Sequence, residues 1–239
     1  MMNQSRNTIL NHIRQSLGYD HIEANTLETL EARLANHPVH EQPVLKQALI
    51  PQFIQQLEKV AGTFETIPNI KDIPFVILDF LQQQQLPEKL VVDSRLKTLP
   101  WPNKLQLAYR AAQADDMVSV SCAFAGIAET GSLVLLSSLA SPTTLNFLPD
   151  NHIVILYKEN LVAFMEEVWT RLRAQAIPRT VNIITGPSRT ADIEQTIQLG
   201  AHGPRRLHVV LVERSMSVSY THLRAHETPE HLVCRLLLE

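Results

Sequence analysis

From residue 89 onward the chain alternates apolar runs of strand length with amphipathic stripes of helical spacing, and this limits its fold more than any other feature. Lys89-Leu-Val-Val-Asp93, Ser132-Leu-Val-Leu-Leu-Ser137, His152-Ile-Val-Ile-Leu-Tyr157, Thr180-Val-Asn-Ile-Ile-Thr185 and Leu207-His-Val-Val-Leu-Val212 are short and largely apolar. Runs of this kind read as buried strands. Met117-Val-Ser-Val-Ser-Cys-Ala123 alternates with period two and reads as another. A stripe through Leu161, Phe164, Met165, Val168 and Leu172 predicts a helix, and a second helix is expected after Gly186-Pro-Ser188. Strands alternating with helices predict an α/β fold with a mostly parallel sheet flanked by helices. The segment 117–137 differs, being two strands joined by a short loop with no helix between them.

The N-terminal part follows another pattern. Ile9, Leu10, Ile13 and Leu17 form one helical stripe before Gly18, and Leu27, Leu30 and Leu34 form a second before Pro38. A third stripe runs over 44–61, where Pro51 kinks the helix or starts a new one. Residues 1–66 are therefore read as an N-terminal helical arm and residues 67–213 as the α/β domain, with a helix over 72–85. Nothing in the arm has the pattern of site chemistry.

Composition removes several functional classes. Twenty-one basic and twenty-four acidic residues give a net charge of −3, with no electrostatic footprint for nucleic acid. No apolar run is long enough to be a transmembrane segment, and the polar start MMNQSRNTIL lacks a secretory core, so a cytoplasmic location is expected. Two cysteines, Cys122 and Cys234, cannot supply a four-thiolate metal site or iron–sulfur cluster. No His, Cys, Asp and Glu set has metal-ligand spacing.

Three turns can carry chemistry. Ala125-Gly-Ile-Ala-Glu-Thr-Gly-Ser132 places Glu129 on a glycine-flanked turn at a strand end, a position for a nucleophile or general base. The same carboxylate can instead accept backbone N–H bonds and close the turn. In Ile184-Thr-Gly-Pro-Ser-Arg-Thr190, Ser188 or Thr190 can cap a helix whose free N–H groups bind an anion beside Arg189. An ordinary capped connection has the same pattern, and Asp192 and Glu194 would weaken an anion site. In Gly200-Ala-His-Gly-Pro-Arg-Arg206, His202 lies between glycines, and Arg205 and Arg206 can clamp a carboxylate or phosphate or simply face solvent.

Four runs together carry a resemblance: Ile127-Ala-Glu-Thr-Gly-Ser-Leu-Val-Leu135, Leu148-Pro-Asp-Asn-His-Ile-Val154, Ile184-Thr-Gly-Pro-Ser-Arg-Thr-Ala-Asp-Ile-Glu194 and Gly200-Ala-His-Gly-Pro-Arg-Arg-Leu-His-Val209. In order and spacing, over 70–213, they resemble the lactate-utilization (LUD) domain of the lactate utilization protein C family. The resemblance implies a fold like that of the ribose-phosphate isomerase, glucosamine-phosphate deaminase and CoA-transferase group. It also implies a subunit of a bacterial system that oxidises L-lactate to pyruvate. Iron–sulfur clusters are then expected in cysteine-rich partner subunits, with no cofactor bound by this chain. CoA-transferase relatives use a glutamate on a Glu-x-Gly turn, and Glu129-Thr-Gly131 is similar in form.

On this reading Glu129 is the reactive or polarising carboxylate and His202 an acid–base or positioning group. Thr185, Gly186, Ser188, Arg189 and Arg205 hold the anion of a small organic acid. The three turns are expected to converge beyond the carboxyl ends of the strands, where open α/β sheets usually bind ligands. The alternatives are a non-catalytic assembly subunit, and a CoA-transferase-like or isomerase-like enzyme for a small anionic substrate. The last segment, 214–239, departs from the family pattern. It resembles a run found at the ends of unrelated metagenomic translations and looks like sequencing-adaptor read-through; the competing reading is a C-terminal helix with Thr228 as N-cap and Pro229 in its first turn.

Overall fold

The computed structural model describes residues 2–18, 23–35, 41–190, 198–199 and 203–214. Contacts divide the chain into two units, Met1–Pro43 and Val44–Glu239. The first unit holds α1 (Met2–Leu17) and α2 (Ala24–Ala35), the two helices expected from their stripes. Gly18 stops α1 at φ +72°, its N–H donating to the Gln15 carbonyl. α2 buries none of its residues, and Ile9, Ile13 and Leu17 on α1 are exposed, as are Leu27, Leu30 and Leu34 on α2.

The second unit begins before the boundary expected at residue 66. Its elements are α3 (Leu49–Lys59), β1 (Thr63–Asn69), α4 (Ile73–Gln83), β2 (Lys89–Val92), β3 (Gln106–Ala108), β4 (Val118–Cys122), β5 (Ala125–Ile127) and β6 (Ser132–Leu136). They continue with α5 (Thr144–Phe147), β7 (Asn151–Tyr157), β8 (Leu161–Val162), α6 (Met165–Arg173), β9 (Val181–Ile184), β10 (Arg189–Thr190), β11 (Gln198–Leu199) and β12 (Arg206–Arg214). Pro51 lies in the first turn of α3, where its missing N–H has no intrahelical partner to lose.

Six strands form one sheet in the order β1-β12-β7-β4-β2-β3, and every neighbouring pair is parallel. Ile153 and Ile155 on β7, with Val210 and Val212 on β12, turn toward Ile73, Ile77 and Leu81 of α4. On the opposite face Val154, Leu156, Val209 and Leu211 meet Phe53 and Leu57 of α3 and Leu133 and Leu135 of β6. Leu57 is fully buried there, which stabilises the fold by about 1.5–3 kcal/mol relative to an exposed side chain. This double burial explains why the parallel strands read as unbroken apolar runs.

The segment after β4 builds a second sheet, ordered β8-β5-β6-β9. β5 and β6 form an antiparallel hairpin, so the two strands expected over 117–137 are three. β9 pairs antiparallel with β6 and does not join the main sheet. The outer face of this sheet packs Ile127 and Val134 against Val168 and Leu172 of α6. The helix expected through Leu161 starts later, at Met165, because Leu161 and Val162 pair with Gly126 and Ile127 as β8. The Glu167 carboxylate accepts the N–H groups of Ala163 and Phe164 and anchors the first turn of α6.

The chain after Ser188 enters β10, paired antiparallel with β11, where the sequence predicted a capped helix. Residues 191–197 lie outside the described residues, as does the segment after Arg214, the last residue of β12.

Candidate functional site

Two glycines bring two of the three expected turns together. Gly131 has φ +69° and Gly186 φ +80°, backbone that L side chains rarely adopt. A Cβ on Gly131 would lie 2.5 Å from the Leu57 backbone nitrogen, and one on Gly186 would lie 2.7 Å from the Val60 carbonyl oxygen. Both turns therefore rest on the C-terminal end of α3, a contact only glycine permits. A chain of hydroxyls joins them: Thr130 Oγ1 is 2.7 Å from Ser132 Oγ, which is 2.6 Å from Thr185 Oγ1.

Glu129 is half-buried, with its backbone N–H donating to the Ala163 carbonyl at 3.1 Å. Its carboxylate takes no hydrogen bond or ion pair among the described residues. The Glu129 turn is held on both sides, by Gly131 N–H to Ile127 carbonyl at 2.9 Å and by the α3 backbone.

The second turn is tied to the third. The Ser188 N–H donates to the Pro204 carbonyl at 2.8 Å, so it is not a free helix-terminal donor. Arg205 and Arg206 both donate their backbone N–H to the Asp150 carbonyl. The Arg205 side chain is exposed, 4.0 Å from Asp150, whereas the Arg206 guanidinium binds Asn151 Oδ1 at 3.0 Å. Arg189 is placed in β10 by its backbone alone, and His202 lies outside the described residues.

A cavity of about 220 Å³ lies where these segments meet. Gly186, Pro187 and Ser188 line one wall, Gly203, Pro204 and Leu207 another, and Asn146, Phe147 and His152 a third. Glu129 is not part of its lining. His152 and Leu207 are register partners near the amino ends of β7 and β12. The cavity therefore sits at the amino edge of the parallel sheet, not at the carboxyl edge the sequence predicted. The cause is topological: β9 leaves the main sheet and delivers its turn to the segment that enters β12.

His152 was not singled out from the sequence. It is 1% exposed, and its Nε2 lies 2.7 Å from the Ser121 hydroxyl. Its Nδ1 is buried with no partner among the described residues, as is Oδ1 of Asn146. Burial pushes the His152 pKa down to about 3, so the imidazole is neutral at physiological pH. It can donate or accept a hydrogen bond there but carries no charge. The signal in the sequence was a polar ring near the start of an otherwise apolar buried strand. His208, by contrast, packs near the start of β12, stacked on Phe80 at 4.2 Å with Nδ1 bonded to Thr63.

Comparison with known proteins adds ancestry to this geometry. A family model described as the LUD domain matches residues 93–212. A lactate utilization protein C of Halalkalibacterium halodurans is 36% identical over 113 residues, 45% of this chain and 48% of that protein. One from Anoxybacillus flavithermus is 35% identical over 89 residues, 37% of this chain and 40% of the other. One from Bacillus licheniformis is 31% identical over 135 residues, 50% and 56% respectively. The chain thus spans about half the length of the curated relatives it matches. The crystal structure of a DUF162 family protein from Deinococcus radiodurans superposes with a TM-score of 0.56 at 18% identity, covering 71% of this chain and 99% of that one. That likeness shows a shared fold.

Proposed function

The chain belongs to the LUD domain family, and from this premise we propose that it serves in lactate utilization, as the cluster-free subunit of a bacterial, cytoplasmic system oxidising L-lactate to pyruvate. The observation that carries the reading is that the runs shared with the family fold into one connected set. The Glu129 turn is bonded to Thr185 through Ser132, and the following turn is bonded to Pro204. In this arrangement Glu129 is the base for the lactate hydroxyl, and His202 is the second acid–base group. Thr185, Gly186, Ser188, Arg189 and Arg205 hold the substrate carboxylate. Oxidation removes two protons and two electrons from lactate. With two cysteines in the chain, the electrons pass to iron–sulfur clusters of partner subunits.

The test is growth on L-lactate of a strain deleted for this gene. Wild type restores growth, and Glu129→Gln does not. Full rescue by Glu129→Gln removes the catalytic role of that residue. A second reading, an assembly subunit without chemistry, is favoured by the exposed apolar stripes of α1 and α2. It predicts rescue by Glu129→Gln, and failure when Ile9, Ile13 and Leu17 are all changed to serine.

A further inference from the structure

We propose that α1 and α2 form a self-association surface whose partner is a second copy of this chain, with α1 of each copy laid antiparallel on α2 of the other. The surface lies in the first unit and does not involve Glu129, so it stands apart from the lactate reading.

The helices need a cover. α1 has 16 residues and α2 has 12. Isolated helices shorter than about 12–15 residues are marginal in water, and in proteins most helical stability comes from packing an amphipathic face. α2 buries none of its residues, and Ile9, Ile13 and Leu17 on α1 are exposed. Nor do the two cover each other: among the described residues α1 and α2 form no packed pair within the chain.

The two stripes match. Leu10, Ile13 and Leu17 are spaced three and then four residues apart, and Leu27, Leu30 and Leu34 repeat that spacing. It is the spacing of a seam between two packed helices.

Charge identifies the occupant. α1 carries Arg6 and Arg14 and no Asp or Glu, whereas α2 carries Glu28 and Glu31 against Arg33. Pairing α1 with α1 sets cations beside cations, and pairing α2 with α2 sets carboxylates beside carboxylates. Only the mixed pair is attractive. Charge also sets the direction. Arg14 and Glu31 hold the same place on their helices, directly after the middle apolar residue. Antiparallel helices bring those two flanks together, whereas parallel helices turn Arg14 toward the flank that holds Arg33. Neither group is held by another element. Arg14 bonds Asn11 on its own helix at 3.0 Å, and Glu31 has no hydrogen bond or ion pair among the described residues. A chain that carries both halves of such a contact is self-complementary. Two copies exchange them about a two-fold axis, and neither stripe is left uncovered.

Sedimentation of the full chain at low salt, across micromolar concentrations, tests this with Arg14→Glu and Glu31→Arg. Wild type is expected to dimerise. Each variant alone sets like charges together and should dimerise severalfold more weakly. Mixing the two variants should restore a dimer of one copy of each, because every α1 then meets the opposite charge on its partner. Circular dichroism checks that both variants keep their helices. Isotope-filtered NMR on a mixture of labelled and unlabelled wild type needs no variant and should show α1 of one copy against α2 of the other. A wild-type chain that stays monomeric overturns the proposal, as does a dimer that neither reversal weakens. Weakening with no rescue on mixing, or contacts between α1 and α2 only within one chain, also overturns it.

Discussion

Replacing Gly131 with alanine tests whether the Glu129 turn is held by backbone contact with α3. Two costs add. An L residue in left-handed backbone, here φ +69°, costs about 1–2 kcal/mol. The new methyl carbon would lie 2.5 Å from the Leu57 nitrogen and 2.7 Å from the Gln56 carbonyl carbon. These are main-chain atoms of a helix, so relief requires the turn or α3 to move, and overpacking of this kind costs about 1–3 kcal/mol. Alanine also restricts the unfolded chain, which offsets about 0.4–1 kcal/mol. The net loss is about 1–4.5 kcal/mol. For a domain of this size that lowers the melting temperature by roughly 2–18 °C. Thermal unfolding of the full chain followed by circular dichroism reads it directly. A fall under about 1 °C, below the smallest of these sums, would show that the turn does not bear on α3 and would refute the platform.

Three further outcomes follow from other parts of the fold. Burial pushes His152 down to about 3 and His208 down to about 4, whereas an unfolded histidine titrates near 6.5. Between about pH 6.5 and 4 only the unfolded chain takes up these protons, so stability falls with pH by up to about 1.4 kcal/mol per unit for each histidine and is flat above that window. Urea unfolding from about pH 7 to about pH 5 checks this, and His152→Asn should remove about half of the slope. The Cys122 thiol is buried and pushed up to about 12, so in a Cys234→Ser chain a thiol reagent should label nothing until urea is added. Ala61 follows α3 at φ +63°, the place where helices commonly carry glycine, and Ala61→Gly should stabilise by about 0.5–1 kcal/mol in the same melts.

The central strands were legible because both of their faces are covered, which writes them as continuous apolar runs. β1 was not: apart from Ile67 none of its residues is buried, it carries Pro68, and it pairs only with β12 at the sheet edge. An edge strand of that kind has little hydrophobic pattern to read. Leu161 and Val162 fit a helical stripe and a strand equally well, and pairing with β5 decided between them. The turn at Ser188 has the local chemistry of a helix cap, but the Pro204 carbonyl takes its N–H, a bond between residues distant enough to be invisible in local pattern. At the site, the glycine turns were visible in the sequence, while the convergence of His152 and Asn146 depends on sheet register. Register is a property of the whole fold, so no spacing in the sequence could announce it.

The platform at the end of α3 separates two boundaries that are easily conflated. Kinship with the family is detectable over 93–212, yet α3, β1, α4 and β2 all precede that stretch. A fragment cut at the limits of that match would lose Phe53 and Leu57 from one face and Ile73, Ile77 and Leu81 from the other. It would also strip β1 from β12 and leave a long apolar edge open to pairing with a neighbouring molecule. The stretch the family model matches is shorter than the unit that folds, and the shortest fragment worth expressing starts at Val44.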